Sequence, residues 1–366
     1  MPETLHSSAP ALYHDEDDSL KVVRNVPVPE LVDGEVVVKV MYSGVNPADV
    51  KHGRLLGMRP VIMGYDFCGR VTQAAPTSDF KLGDLVAGYT PTGVGRLSKY
   101  GAHQEYLSCP ENLMFKVPGN LPPAHAACMT VVLMTAANAL HDIFGFPLPG
   151  EKPADGFRRG PLLIWGASAS VGLCMLQLAR ASGAHPIFVT ASPKRHELLK
   201  RLGATRCFDY RAPDVVSQIR AASAESEAGP IAYAADCAGS GGIREVPAKS
   251  DGADSAAQTE ACVGADVPIL SVVTNENPRF KLPIGSAATS FRFRLPDGHV
   301  LDFPARPKVW AMMTKALRWA VDKYGTEFDM PEVDVFEGSA EESLAKVVEV
   351  ADQGRFGKLV LVQPMS

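Results

Sequence analysis

The chain has 366 residues, with 36 Lys and Arg against 41 Asp and Glu, a formal net charge of −5, and 46% hydrophobic residues. This balance gives no electrostatic reason to expect nucleic acid or an anionic membrane as a partner, so any anion site must be local. Length alone makes two domains the natural expectation.

Seven cysteines (Cys68, Cys109, Cys128, Cys174, Cys207, Cys237 and Cys262) are scattered without a CxxC pair. That distribution suits reduced thiols in a cytoplasmic protein and predicts no disulfides. The first residues lack a basic-then-apolar signal pattern, and the apolar runs read as too short to cross a bilayer.

Leu20 to Val28 and Glu35 to Tyr42 are valine-rich and bracketed by Pro27, Pro29, Asp33 and Gly34, which predicts two strands joined by a turn. Asn46-Pro47-Ala48-Asp49-Val50-Lys51 reads as a helical turn, with Asn46 as cap, Pro47 at its first position and Lys51 at its end. Short strands follow at Gly64 to Thr72, Phe80 to Gly88 and Ala102 to Leu107, with glycine at the bends, and imply barrel-like folding. His125 to Phe144 turns helical, and Phe146 to Arg159 reads as a linker.

Leu162 to Trp165 is an apolar run between Pro161 and Gly166, as expected of a strand covered on both faces. Val171, Cys174, Met175, Leu178 and Ala179 then recur at helical spacing up to Gly183, and His185 to Thr190 gives the next strand. A strand–helix–strand unit leaves unpaired N–H groups at the helix N-terminus, where the dipole favours an anion. The glycine fingerprint of dinucleotide folds is incomplete: with Gly172 as its third glycine, Ala167 and Ala169 hold the first two positions. An ordinary small-residue turn is the alternative.

The second strand runs into Thr190-Ala-Ser-Pro-Lys-Arg195, without the carboxylate that holds the ribose 2′-hydroxyl of NAD. Ser192, Lys194 and Arg195 instead offer a hydroxyl and two cations to a 2′-phosphate, which favours NADPH. The same residues also suit a Ser cap, Pro at the first helical position and a solvated basic turn. Further on, strands are expected near Cys207-Phe208, Ala232 to Cys237, with Asp236 capping a turn, Ile269 to Val273, and Gly357 to Val362. A helix is expected over Trp310 to Tyr324, and Gly239 to Gly264 is open between loop and weak helix.

Asn46-Pro-Ala-Asp49, Gly64-Tyr-Asp-Phe-Cys-Gly69, Ala167-Ser-Ala-Ser-Val-Gly172 and the closing Gly-Lys-Leu-Val resemble the zinc-independent medium-chain dehydrogenase/reductases of the quinone-reductase branch. Phe208-Asp-Tyr-Arg-Ala-Pro213 and Gly145-Phe-Pro-Leu-Pro149 are similar to the trans-acting enoyl reductases of fungal polyketide pathways, the lovastatin type. The resemblance implies an α/β protein: a GroES-like β-rich catalytic domain over 1–150, completed by 325–366, and a Rossmann-type doubly wound parallel-sheet domain over 151–324 that binds NADPH. It implies a monomer that works with the acyl carrier protein of a polyketide synthase, alone or fused to a peptide synthetase.

By matching, the nucleotide contacts fall on Ala48, Asp49, Val50 and Lys51; Ser168, Ala169, Ser170 and Val171; Ser192, Pro193, Lys194 and Arg195; Tyr210; Ile269 and Leu270; and Arg355 and Phe356. The substrate lining falls on Thr135, Ala136, Ala137, Asn138, Ala139, Leu140, His141 and Asp142, and on Ala287, Ala288, Thr289, Ser290 and Phe291. Lys51 and Thr135 are the catalytic candidates, a cation and a hydroxyl for a developing enolate oxygen. Their alternatives are a solvated charge at a helix end and a hydroxyl bonded to its own helix.

No metal site is expected, since only Cys68, His52 and Asp66 offer donors near one another in the motifs. The activities left open are a trans-enoyl reductase, a free-standing quinone or alkenal reductase, and an NADPH-binding protein without turnover.

Overall fold

The computed structural model describes residues 6–240, 254–353 and 355–366. It divides into two compact units, one of residues 1–131, 286–307 and 330–366, the other of 132–285 and 308–329.

In the first unit, Glu35–Gly44 is the central strand of a seven-stranded sheet. It pairs antiparallel with Asp66–Gln73, Tyr106–Pro110 and the final strand Lys358–Val362. Two register shifts against Asp66–Gln73, at Val37/Val38 and Val40/Tyr42, bend the strand as bulges do. Leu20–Val23 does not join Glu35–Gly44 in a hairpin, as the intervening turn residues suggested. It pairs with Ala11–His14, which reaches Val61–Ile62 to form a separate three-stranded sheet. Leu12, Val45, Val50, Met63, Val347 and Leu361 share one core beneath these sheets.

The second unit is a six-stranded parallel sheet in the order Arg206–Asp209, Ile187–Ala191, Leu162–Trp165, Tyr233–Asp236, Ile269–Ser271, Phe280–Lys281. Numbered along the chain this is 3-2-1-4-5-6, the doubly wound order whose direction reverses between the first and fourth strands, where such sheets bind ligands beyond their carboxyl ends. Leu163, Trp165, Phe188, Phe208, Ile219 and Ile269 pack its core. Of the ambiguous stretch Gly239 to Gly264, Ser255–Ala261 is helical with Asp254 as its cap, and residues 241–253 lie outside the described residues.

The unit boundaries differ from those expected at 150/151 and 324/325, for identifiable reasons. Phe144 and Phe146 pack on Tyr233 of the parallel sheet at centroid distances of 5.1 and 5.0 Å, and Asn138 Oδ1 accepts from Ile284 N–H, so the chain after 131 belongs to the second unit. The hairpin Phe291–Arg294/Val300–Phe303 belongs to the first, because Phe293 packs on His52 at 5.2 Å and Val94 N–H donates to Arg292 O. Gln177 bonds both the N–H and the C=O of Asp329, which keeps residues up to 329 with the second.

The sequence reading of short apolar runs is also corrected. Pro123–Ile143 is 21 residues long and apolar enough to cross a membrane by length and composition, but 78% of its most apolar window is buried. It is a core helix, α-helical over Pro123–Ala137 and a π-turn over Asn138–Ile143. All seven cysteines are free thiols.

Candidate functional site

In the second unit the chain leaves strand Leu162–Trp165 through Gly166, which has φ +77°, and enters the helix Ser170–Ala181 with no side chain capping it. The turning glycine is therefore Gly166, one position before the alanine aligned with the first glycine of the fingerprint. Gly172 makes the close approach: a Cβ there would lie 2.6 Å from Gly166 O and 2.8 Å from Ala167 Cα. With only hydrogen at that point, the helix N-terminus seats directly on the turn. The result is a set of main-chain amides and a helix dipole at the switch point of a doubly wound sheet, an arrangement that accepts a pyrophosphate.

Ala169 is extended at φ −70°, ψ 155°, and Ser168, Ser170 and Val171 around it are half-buried. Ser192 is extended and opens a short turn, Pro193–Arg195, that leads into the helix His196–Leu202. Arg195 N–H donates to Ser192 O at 2.9 Å, so the expected cap is made by the Ser192 carbonyl and not its hydroxyl. Lys194 is exposed and Arg195 half-buried. Asp209, at the end of the third strand, accepts from Arg211 N–H, and Tyr210 is 39% exposed beneath the Arg211 guanidinium at 4.8 Å. Ile269 and Leu270 are fully buried sheet residues, paired on both sides by the neighbouring strands.

Asp236 ends the fourth strand as a turn cap, its Oδ1 accepting from Ala238 and Gly239 N–H at 3.1 Å each. Its Oδ2 takes the Ser271 hydroxyl at 2.9 Å.

In the first unit the expected helical turn is longer, Ala48–Leu56, and Lys51 sits within it, not at its end. Lys51 is exposed there, so of its alternative reading the solvent exposure holds and the place at a helix C-terminus does not. Asn46 does not cap the helix. Its amide is claimed on both sides by buried charges: Asn46 Nδ2 donates to Asp66 Oδ2 at 3.0 Å, and the buried Lys358 Nζ donates to Asn46 Oδ1 at 2.7 Å and Val45 O at 2.8 Å. Asp66 Oδ1 accepts from Val131 N–H at 2.9 Å, and burial pushes this carboxyl up to about 6.

Asp49, expected at the cofactor, is turned inward. Its Oδ2 accepts from Asn46 N–H and lies 3.2 Å from His103 Nε2, both side chains being fully buried. Since a carboxylate only accepts, His103 Nε2 donates to it, while Nδ1 bonds the Ser43 hydroxyl at 2.9 Å and Gln363 donates to Ser43 Oγ at 3.1 Å. This Asp–His–Ser string looks like a hydrolase triad, yet Ser43 has no exposed surface, so it braces the fold. Val50 is likewise core.

The three thought able to gather around a metal are otherwise engaged. His52 Nδ1 bonds the Tyr65 hydroxyl at 2.8 Å, Asp66 is occupied as above, and burial pushes the Cys68 thiol up to about 12. Among the described residues no three His, Cys, Asp or Glu side chains gather as a metal would need. Zinc does not fit this donor set.

Of the substrate-matched residues, Ala136, Ala137, Ala139 and Leu140 have no exposed surface, while Thr135 and Asp142 are half-buried. Asn138 Nδ2 donates to Asp142, and His141 Nδ1 donates to Phe146 O, so these bonds of the π-turn's polar side chains serve its shape. Ala287 is buried, Ala288 half-buried, and Thr289 and Ser290 exposed; Phe291 stacks on Phe303 at 4.9 Å. Arg355 pairs with Asp334, and Phe356 is half-buried.

No sequence motif singles out Gly166, Lys358 or the Asn46–Asp66 link. An acid within Tyr-Asp-Phe-Cys and a lysine opening Lys-Leu-Val-Leu-Val were the available signals, since charge in a covered strand requires a buried partner.

The alcohol dehydrogenase GroES-like domain matches residues 32–119, and the zinc-binding dehydrogenase family matches 170–246. The fold agrees with both matches: a GroES-like domain and a Rossmann-like parallel sheet, the fold of the medium-chain dehydrogenase/reductases. It is 36% identical to the trans-enoyl reductase himH of Aspergillus japonicus over 210 residues, 56% of this chain and 59% of that one. It is 32% identical to the trans-enoyl reductase TwmE of Talaromyces wortmannii, over 64% of this chain and 66% of that one. The alignments thus span less than two thirds of these relatives' own lengths. Similar solved structures are a quinone oxidoreductase of Pseudomonas syringae (TM-score 0.69, 17% identity, 97% of this chain, 99% of that one) and the CurK enoyl reductase (0.68, 17%, 97% and 99%). A third is a mycobacterial protein complexed with NADPH (0.68, 18%, 97% and 100%).

Proposed function

We propose that this chain is an NADPH-dependent enoyl reductase acting in trans on the α,β-double bond of an enoyl thioester carried by a polyketide synthase acyl carrier protein. The observation that carries the cofactor half is the turn Gly166 to Gly172 at the switch point, followed one strand later by Ser192, Lys194 and Arg195 with no acid. The choice of substrate is supported by the relatives named trans-enoyl reductases.

The amides at the start of the Ser170–Ala181 helix would hold the pyrophosphate, and Ser192, Lys194 and Arg195 the 2′-phosphate. Bound NADPH would supply hydride to Cβ of the enoyl group. Charge would then develop on the thioester oxygen, for which the Lys51 ammonium and the Thr135 hydroxyl are each proposed as donors, and Cα would take up a proton. A thioester already stabilises the carbanion through its carbonyl, so donors of this kind suffice where the oxidation of an alcohol to a carbonyl would need a stronger Lewis acid.

The test is NADPH consumption with a 2-enoyl pantetheine thioester beside a small quinone. Oxidation with the thioester alone is the expected result. Oxidation with the quinone alone identifies a quinone reductase, and binding without oxidation identifies a non-catalytic dinucleotide-binding protein; either contradicts the proposal.

A further inference from the structure

Thr190 is fully buried at the end of the strand Ile187–Ala191, beside the glycine turn. Its Oγ1 accepts from the Gly166 N–H at 2.9 Å, and its carbonyl oxygen accepts from the Ala167 N–H at 3.0 Å. Gly166 needs such a partner: it lies past the last ladder pairs of Leu162–Trp165, and a main-chain donor left unpaired there is costly. The opposite side of Gly166 is closed by the loop after Tyr233–Asp236. A Cβ on Gly166 would lie 2.9 Å from both Ala238 N and Ala238 Cβ, and Asp236 holds the Ala238 amide. The turn is thus gripped from both neighbouring strands, and among the described residues Thr190 supplies the side chain that holds the Gly166 amide.

We infer that Thr190 is a positioning residue of the phosphate turn, governing affinity for the dinucleotide pyrophosphate and not the choice between NADPH and NADH; this rests on the cofactor assignment above. The hydroxyl acts on Gly166 alone, because the carbonyl bond to Ala167 survives any side chain at this position. The Ser192–Arg195 turn begins two residues later and closes on its own Arg195-to-Ser192 bond. A turn held in one conformation presents its amides without reordering when the ligand arrives, which is where affinity is gained.

Thr190→Val keeps the shape and removes the acceptor, while Thr190→Ser restores it. Calorimetric titration of each with NADPH and with NADH is expected to show both affinities falling by about tenfold in T190V, their ratio unchanged, and recovery in T190S. Without any dinucleotide, the Gly166 amide hydrogen should exchange faster in T190V and return to its original protection in T190S. A T190V protein that binds like the unaltered chain, one that loses NADPH alone, or a T190S protein that fails to recover overturns the inference while leaving the cofactor assignment standing. An unaltered chain that binds neither dinucleotide overturns both.

Discussion

In the second unit the turn after Leu162–Trp165 is shaped by main-chain atoms, two glycines and one neutral hydroxyl, that of Thr190, whereas in the first unit the segment leading into Ala48–Leu56 hangs on buried charged side chains. Both segments carry residues matched to the cofactor, yet they fail in different ways. A main-chain turn tolerates most side-chain changes around it and fails when a Cβ intrudes. A buried charge network fails when any member is lost, because the remaining charge stays buried without its partner.

The largest effect is expected at the network. Asn46→Leu leaves the Lys358 ammonium and the Asp66 carboxylate without the amide that joins them, at a cost of about 3 kcal/mol or more in unfolding free energy measured with denaturant. Loss of less than about 1 kcal/mol would show that the two charges find other partners, and would erase the contrast between the units. Next comes Gly172→Val, whose Cβ meets main-chain atoms that cannot rotate away. Its stability should fall by about 1–3 kcal/mol, and dinucleotide binding should be lost with the helix displaced. Changing Lys194 and Arg195 together to Ala should weaken NADPH by about tenfold or more while barely altering NADH, as removal of charge-assisted phosphate contacts requires. Equal losses for the two would remove the 2′-phosphate assignment.

A subtler separation comes from pH. Burial raises Asp66 from 3.8 to about 6 and lowers His52 from 6.5 to about 4. Between about pH 4 and 6 the folded state holds more protons on Asp66 than the unfolded state does, so the contribution of Asp66 to stability falls as pH rises. It holds fewer on His52, whose contribution rises. The two oppose each other in one window. Asp66→Asn should therefore make stability climb more steeply with pH there, and His52→Gln should make it climb less; melting temperatures across the window read both slopes. The smallest effect belongs to Arg292→Ala, which breaks an exposed pair with Asp302 on the hairpin and should cost no more than about 0.5 kcal/mol.

The same contrast explains what could be read from the sequence. Strand Leu162–Trp165, the following helix and the basic turn after Ala191 depend on local pattern, so apolar runs, small residues and a missing acid disclosed them. Gly166 was passed over because the fingerprint fixes its spacing from Gly172, and this turn places its glycine one residue earlier. The first unit resisted because its contacts are distant in sequence. Asn46 meets Asp66 and Lys358, and Asp49 meets His103, across strand pairings that no local periodicity reveals. For the same reason Asn46 and Asp49 were assigned to a cap and a cofactor when their side chains serve the interior. The unit boundaries moved because aromatic side chains, Phe144, Phe146 and Phe293, choose the body they pack against, and linker composition does not record that choice.

Titrating the unaltered protein with NADPH and with NADH under identical conditions tests the ligand of the glycine turn most directly. A phosphorylated dinucleotide seated with its pyrophosphate on the Ser170–Ala181 helix and its 2′-phosphate at Ser192–Arg195 predicts NADPH bound at least about tenfold more tightly than NADH. Equal affinities, tighter NADH, or no binding of either would contradict it.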